Sequence, residues 1–487
     1  MKITCNYLNE TYCKIECEDY VHLEIYSFLK SKIPDFHLIR SQNPRFRFHD
    51  GYKRFYQKGN HKLLYGHILW LNEFCKYRGY ELVLDKKIKE KAKNSITRPD
   101  IDIFIDTLSL PFTLHEYQKD SIYRAILNRR LVLKVPTGGG KTVISYCIIK
   151  WFLENEGGKV LFVVPSKGLI KQAYKDFMGY GYKDDIHIIQ SGTEKELLTE
   201  ITISTWQSIY KLEKGFFKDV SLLIIDECHQ VSNAMVLKSI EKIIQKSVNA
   251  YYRFGTTGTL KDEEVHEKLI EGMIGRIYQA ITTIELIEND QVSPLKISIK
   301  KIDYLDDMKG NVNKLNWHEQ LQFIDHEKNP RQEYIIKLIM SLTGNTMVLF
   351  RSIEHGTYLY EELVKRTYGK EVMYIDGSIS GDDREKYRVM MEENDNLILV
   401  GSYGTVSTGI SINRLHNIVF SSPSKSKIRV LQSIGRGLRK HETKSEVVIY
   451  DIVDLIGFFK NHYKERKDHY NNEKFPYTEE DVRLFSK

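Results

Sequence analysis

The stretch Val135-Pro-Thr-Gly-Gly-Gly-Lys-Thr142 lies between an apolar run, Leu131-Val-Leu-Lys-Val135, and an apolar-periodic segment that begins Val143-Ile-Ser-Tyr146. Apolar run, glycine turn and periodic segment predict strand, loop and helix. Three glycines let backbone N–H groups turn inward around a polyphosphate, the Lys141 ammonium reaches its β and γ oxygens, and the Thr142 hydroxyl holds Mg²⁺. Pro136, Thr137, Gly138, Gly139, Gly140, Lys141 and Thr142 are therefore the expected phosphate cradle. Val135 stands where the full phosphate-loop pattern has glycine, so a turn that merely caps a helix competes with this reading until a second motif is found.

Composition narrows the class. A chain of 487 residues has room for two or three domains. It holds no apolar run of about 18 residues, and Met1-Lys-Ile-Thr-Cys-Asn6 lacks the apolar core of a signal peptide, so a cytoplasmic location is expected. The six cysteines (5, 13, 17, 75, 147 and 228) form no C-x-x-C pair, which points to reduced, packed thiols rather than a zinc ribbon or redox dithiol. A net charge of +7 permits a polyanionic partner.

Residues 1–92 read as a small α/β module. Between Arg40 and Lys62 it carries seven Lys/Arg against one acid, Asp50, interleaved with aromatic residues. Alternation in Arg45-Phe-Arg-Phe-His49 predicts a strand with arginines on one face and rings on the other. Arg45, Arg47, Lys53 and Arg54 are the expected nucleic-acid contacts; a hairpin with simply solvated charges is the alternative. Residues 93–112, with Pro99 and Pro111, read as a linker. From 113 onward, continuous apolar runs alternate with amphipathic segments, the grammar of a parallel sheet with crossover helices. It restarts near Thr346, predicting α/β domains over 113–290 and 331–465, with a connection at 291–330 and a charged tail at 466–487.

The apolar run Leu222-Leu-Ile-Ile225 leads into Asp226-Glu-Cys-His229, at the carboxyl end of a parallel strand, where open α/β sheets hold ligands. Asp226 is suited to hold Mg²⁺ through water, and Glu227 to orient or deprotonate the water attacking a γ-phosphate. His229 reads as a hydrogen-bonding relay rather than a zinc ligand. Together with the cradle, this pair predicts ATP hydrolysis.

With Thr257-Gly-Thr259 and Gln432-Ser-Ile-Gly-Arg-Gly-Leu-Arg439 following in order, the chain resembles superfamily 2 helicases over about residues 115–455. Within them it is similar to the phage UvsW-type recombination helicases, which share a basic N-terminal module resembling Asn43-Pro-Arg-Phe-Arg47, and also Ser402-Tyr-Gly404, Ser407-Thr-Gly-Ile-Ser411 and Lys425-Ser-Lys427. The resemblance implies two tandem RecA-like domains. It implies adenine recognition by Tyr117 and Gln118, with a water-facing glutamine at a helix start as the alternative, and strand-gripping loops at Pro165, Ser166, Thr205, Gln207, Arg351, Ser352, Ser402 and Thr408. His229, Thr257, Gly258 and Thr259 would couple nucleotide state to nucleic-acid contact. Gly409 falls near the nucleotide, whereas Ser411 stands where relatives often have Asp and supplies no charge. Gln432, Arg436 and Arg439 would complete catalysis, the two arginines projecting from one helix face toward the γ-phosphate.

The function so implied is an ATP- and Mg²⁺-dependent 3′–5′ DNA helicase acting on Holliday junctions, forks and R-loops. Its expected partners are branched double-stranded DNA, single-stranded DNA, RNA–DNA hybrids and phage or host recombination proteins. The expected setting is a monomer in the bacterial host cytoplasm. A restriction-system motor subunit, an RNA helicase and an ATP-gated nonenzymatic scaffold are the alternatives.

Overall fold

The structure is a computed structural model that describes all residues except 35, 43–45, 93, 230–233, 261–263, 368, 408–411, 425, 427–432, 436, 443 and 485–487. The chain divides into one unit formed by Met1–Val135 with Gly140–Ala280 and another formed by Pro136–Gly139 with Ile281–Lys487.

The first unit opens with the N-terminal module. Its strands are β1 (Lys2–Tyr7), β2 (Tyr12–Glu16), β3 (Lys30–Lys32), β4 (Tyr52–Arg54), β5 (Tyr56–Gln57), β6 (Lys62–Leu64) and β7 (Glu81–Leu84). Five make a mixed sheet in the order β5-β6-β2-β1-β7, while β3 and β4 form a separate antiparallel ribbon. Period-two alternation sends Ile3, Cys5, Cys13 and Ile15 into a core with Val21, Ile25 and Phe74. Cys5 and Cys13 are thus packed thiols, and among the described residues no group of three or more His, Cys, Asp or Glu is gathered as a metal site. The expected strand at 45–49 does not form: Phe46, Arg47 and Phe48 make a 3₁₀ residue and a turn.

The same unit contains a wholly parallel seven-stranded sheet. Its strands are β8 (Arg130–Lys134), β9 (Lys159–Val164), β10 (Ile186–Ile189), β11 (Ile201–Thr205), β12 (Val220–Asp226), β13 (Tyr252–Thr257) and β14 (Arg276–Gln279), in the order β10-β11-β9-β12-β13-β8-β14. The helix Lys141–Asn155 that follows β8 buries Val143–Ile149, Trp151 and Phe152.

Residues expected as linker instead contain the helix Arg98–Thr107, whose Ile101 and Ile105 enter the first core. Pro99 sits in the first turn of that helix, where a missing N–H is harmless, and Asp100 accepts from the Thr97 backbone 2.8 Å away. Proline here starts a helix rather than separating domains.

The module is fastened to the parallel sheet by polar groups. Glu10 takes hydrogen bonds from Tyr7 Oη (2.7 Å) and Arg130 Nη2 (2.8 Å) and pairs with Lys91. Burial opposes the Glu10 charge, but Arg130 and Lys91 outweigh it and hold the carboxyl below its ordinary range. Trp70 Nε1 donates to Glu271 (3.0 Å), and His67 Nε2 meets the Lys268 carbonyl at 2.6 Å. A Cβ on Gly272 would lie 2.4 Å from the His67 ring, so the close approach requires glycine.

The second unit repeats the architecture with β15 (Leu295–Ile302), β16 (Thr346–Phe350), β17 (Val372–Ile375), β18 (Ile398–Ser402), β19 (Asn417–Phe420), β20 (Val447–Asp454) and β21 (Tyr477–Val482). All are parallel, in the order β17-β18-β16-β19-β20-β15-β21. The expected connection and tail therefore hold structural strands. Charge hid them: Lys301 of β15 pairs with Glu479 (3.2 Å) and Asp481 (3.0 Å) of edge strand β21. Among the described residues no helix is long and apolar enough to cross a membrane.

Burial lowers the His67 pKa from 6.5 to about 4, and its Nδ1 is buried without a hydrogen-bond partner. Below pH 6.5 the unfolded chain takes up this proton first, so stability present above that pH is lost as pH falls toward 4. We predict a loss of about 2 kcal/mol from this group at pH 5. Thermal melts from pH 7.5 to 5 should show a shallower acid dependence for His67→Gln; an equally steep fall would locate the sensitivity elsewhere.

Candidate active site

The cradle leaves the carboxyl end of β8 through residues 136–140. Gly138 and Gly140 have φ of +88° and +81°, conformations that favour glycine, and Gly139 N–H donates to the Pro136 carbonyl at 3.0 Å. Gln118, in the helix Glu116–Asn128, is only 6% exposed and does not face water. Its Oε1 accepts from His115 N–H (2.9 Å), while its Nε2 would lie 2.4 Å from a Cβ on Gly140. Gln118 thus supports the loop's last glycine. Tyr117 is half-buried beside it and packs on the first core.

β12 ends at Asp226, whose Oδ1 accepts from Thr256 Oγ1 at 2.5 Å. Glu227 then adopts φ +51°, a left-handed conformation rare for a side chain of this kind. The turn presents Glu227 to Lys141, Nζ to Oε1 3.4 Å. Burial and then the neighbouring Glu227 push Asp226 up to about 6. Burial also opposes the Glu227 charge, but Lys141 and then His229 dominate and hold it well below the ordinary range. Two carboxyls pressed together, one of them short of positive charge, form a donor set that fits a divalent cation.

From the carboxylates a chain of contacts continues inward. Buried His229 has Nδ1 2.8 Å from Thr257 Oγ1 and 3.0 Å from Glu227 Oε2. Thr257 Oγ1 donates to the Thr259 carbonyl (2.7 Å), so its remaining capacity is as an acceptor, which makes His229 Nδ1 the donor. Cys228 turns away and is packed where a Cβ on Gly255 would come within 2.9 Å of its sulfur. Gly258 is the half-buried link between the two threonines.

The expected strand-gripping residues cluster within each unit. Val164 and Thr205 are partners on adjacent β9 and β11, so Pro165, Ser166 and Gln207 share one sheet end, and Gln207 Nε2 donates to the Pro165 carbonyl at 3.2 Å. Ser166 Oγ and the Thr205 hydroxyl are engaged locally, by Leu169 N–H (3.4 Å) and Ser208 Oγ (3.0 Å). In the second unit Phe350 of β16 pairs with Ser402 of β18, bringing Arg351 and Ser352 beside Ser402. The Arg351 guanidinium lies 4.3 Å over the Trp317 ring, which packs on the second core.

Arg47 and Lys53 are exposed, and Arg54 is half-buried. It pairs with Asp50 and lies 4.8 Å over the Tyr26 ring, a local clamp that sequence spacing conceals. Arg439 is half-buried in a bend that follows helical residues 433–435 and 437. Its carbonyl accepts from Ser293 Oγ (3.2 Å) and from Lys444. Lys444 also holds the carbonyls of Asn413 (2.8 Å) and Gly437 (2.7 Å), a role with no sequence signal in its charged surroundings. Arg45, Thr408, Gly409, Ser411, Gln432 and Arg436 lie outside the described residues. Thr256 was not anticipated, although a hydroxyl on the strand beside an acidic strand end is the signal for it.

Residues 111–262 match the family model described as type III restriction enzyme, res subunit, and residues 330–441 match the helicase conserved C-terminal domain. The ATP-dependent DNA helicase uvsW of Enterobacteria phage T4 is 30% identical over 99% of this chain and 100% of its own length. The crystal structure of T4 UvsW matches over 100% of both chains with a TM-score of 0.52 at 28% identity. A fragment of a putative HsdR subunit of a type I restriction enzyme from Vibrio vulnificus matches 93% of this chain and 83% of that one with a TM-score of 0.59; at 17% identity this likeness shows the fold alone.

Gly140→Ala would force a left-handed alanine, at about 1–2 kcal/mol, and displace Gln118. We predict at least tenfold weaker nucleotide binding on titration with a fluorescent ATP analogue, and unchanged affinity would refute the cradle.

Proposed function

Because this chain belongs to the family of the phage UvsW ATP-dependent DNA helicases, we propose that it spends ATP to remodel branched DNA, tracking one strand 3′ to 5′. Holliday junctions, stalled forks and R-loops are the substrates of this reading. A monomer suffices for it.

The observation that carries the proposal is the continuous path Lys141–Glu227–His229–Thr257–Thr259. Gly138–Gly140 and Lys141 hold the phosphates, Gln118 keeps the loop in shape, and Tyr117 borders the base. Thr142 and Asp226 would hold Mg²⁺, which supplies charge neutralisation at the β- and γ-phosphates. Glu227, kept ionised by Lys141, orients the attacking water and accepts its proton. Lys141 is drawn from Glu227 to the γ-phosphate when nucleotide binds, which alters the field on His229. The Nδ1–H bond to Thr257 transmits that change to the segment at Thr259. Arg436 and Arg439, with Gln432, complete the charge stabilisation from the second unit, so neither unit hydrolyses ATP alone.

Strand contact falls to Pro165, Ser166, Thr205 and Gln207 in one unit and to Arg351, Ser352, Ser402 and Thr408 in the other. Short hydroxyls and loop amides suit a backbone that repeats regardless of base. Exposed Arg47 and Lys53, with Arg45, hold duplex beside the branch; the pairing of Arg54 to Asp50 gives it a supporting part.

ATPase and strand displacement measured side by side on single strands, forks, four-way junctions and RNA–DNA hybrids test the reading. Displacement confined to simple duplex tails would refute branched substrates. Glu227→Gln should lower ATPase by at least 100-fold while retaining ATP binding. Thr257→Val should keep ATPase within about threefold yet lower strand displacement about tenfold, and equal losses of both would remove the coupling role. Joint Arg47→Glu and Lys53→Glu should weaken junction binding and reduce the log–log salt slope by about two.

A further inference from the structure

Phe48 is 95% exposed, the most exposed large apolar side chain among those described. Isolated exposed rings are ordinary on mobile loops, but this loop is fastened on both sides. Phe46 meets Phe36 edge-on at 6.1 Å and His49 at 5.7 Å, and Phe36 and His49 lie 5.0 Å apart. Gly51 N–H donates to His49 Nδ1 (3.0 Å), and with φ +82° and Phe36 3.1 Å from any Cβ, Gly51 locks the turn. Asp50 closes the other side, accepting from Arg54 Nη1 at 3.0 Å. Three neighbouring rings are spent on anchoring while the fourth is held out in water.

Its surroundings select a partner. The Arg47 guanidinium lies 5.7 Å from the Phe48 ring, and Arg40 and Lys53 are exposed on the same segment of the module. Cations attract a polyanion, and an open ring face offers stacking that every base satisfies. In continuous duplex each base is already stacked on both faces and shows the grooves only its edges. An open aromatic face therefore discriminates for bases that have lost a neighbour.

We propose that Phe48 is a stacking platform for an unpaired nucleobase at the point where bound DNA branches, with Arg47 backing the ring and Lys53 on the adjoining phosphates. The proposal rests on the reading of the N-terminal module as the part that holds DNA. It makes the loop a branch sensor: the cations set how strongly DNA is held, and the ring sets where.

The test uses the full chain with Phe48→Ala, Phe48→Trp and the joint Arg47→Glu, Lys53→Glu variant, each checked by melting temperature. Affinities are compared on a fork and on a long fully paired duplex of the same sequence. Phe48→Ala should reduce the fork-to-duplex affinity ratio about tenfold, the size of one lost base–aromatic stack, with the salt slope kept, and Phe48→Trp should restore the ratio. An unaltered ratio in Phe48→Ala, while the charge-reversed variant loses affinity for both DNAs, overturns the stacking platform alone. Wild-type affinity in the charge-reversed variant overturns the module's DNA-holding role and the platform with it.

Discussion

Adjacent carboxylates at the end of a buried strand repel each other and resist losing water, so Asp226 and Glu227 need a cation that the fold brings to them. Lys141 is that cation, 3.4 Å from Glu227 and supplied by the first residue of the helix after β8. The sheet order explains why it arrives there. β13 lies between β8 and β12, so the phosphate loop and the acidic pair emerge one strand apart at the same sheet end. Thr256 and Thr257, at the end of the intervening strand, then touch both sides: Thr256 binds Asp226, and the Thr257 carbonyl takes the Val135 N–H at 2.8 Å. One electrostatic requirement thus organises three strand ends and the loops that follow them.

The N-terminal module belongs to the same compact unit as this sheet. Its contacts are buried and directional: Glu10 with Arg130 and Lys91, Arg253 Nη2 to Thr11 Oγ1 at 3.0 Å, and the glycine-limited approach of Gly272 to His67. Removing one member of such a set strands the others without solvent, so the seam resists gradual loosening.

What the sequence made legible follows from how strongly each residue's environment is dictated locally. The glycine cradle and the central strands were readable because continuous apolar runs bury both faces. The strands at the β21 edge were not: β15 and its edge neighbour β21 are lined with Lys and Glu that satisfy one another across the ladder, and each alone looks like solvated chain. Pro99 misled because proline interrupts a helix interior but opens a helix well, and this residue stands at a helix start. Within the candidate site, residue types were legible and their pairings were not. The Arg54–Asp50 pair is not announced by its spacing, and nothing in Asp226-Glu-Cys-His229 announces that Glu227 takes a left-handed backbone.

The second unit meets a different constraint, because its sheet carries buried charge. β20 carries two buried acids, Asp451 and Asp454, three residues apart and hence on opposite faces of the sheet. Arg466 pairs with Asp451 at 2.9 Å, and Arg331 with Asp454 at 2.7 Å. Each arginine also donates to a carbonyl in the segment after β19: Arg331 to Ser421 at 2.6 Å and Arg466 to Ser424 at 2.9 Å. A one-residue slip of β20 would turn both acids away from their partners, and an uncompensated buried charge costs about 3–5 kcal/mol. The ion pairs therefore act chiefly by penalising wrong registers. Because the same two guanidinium groups hold the Ser421 and Ser424 carbonyls, the register of β20 and the path of the chain just after β19 are one structural decision.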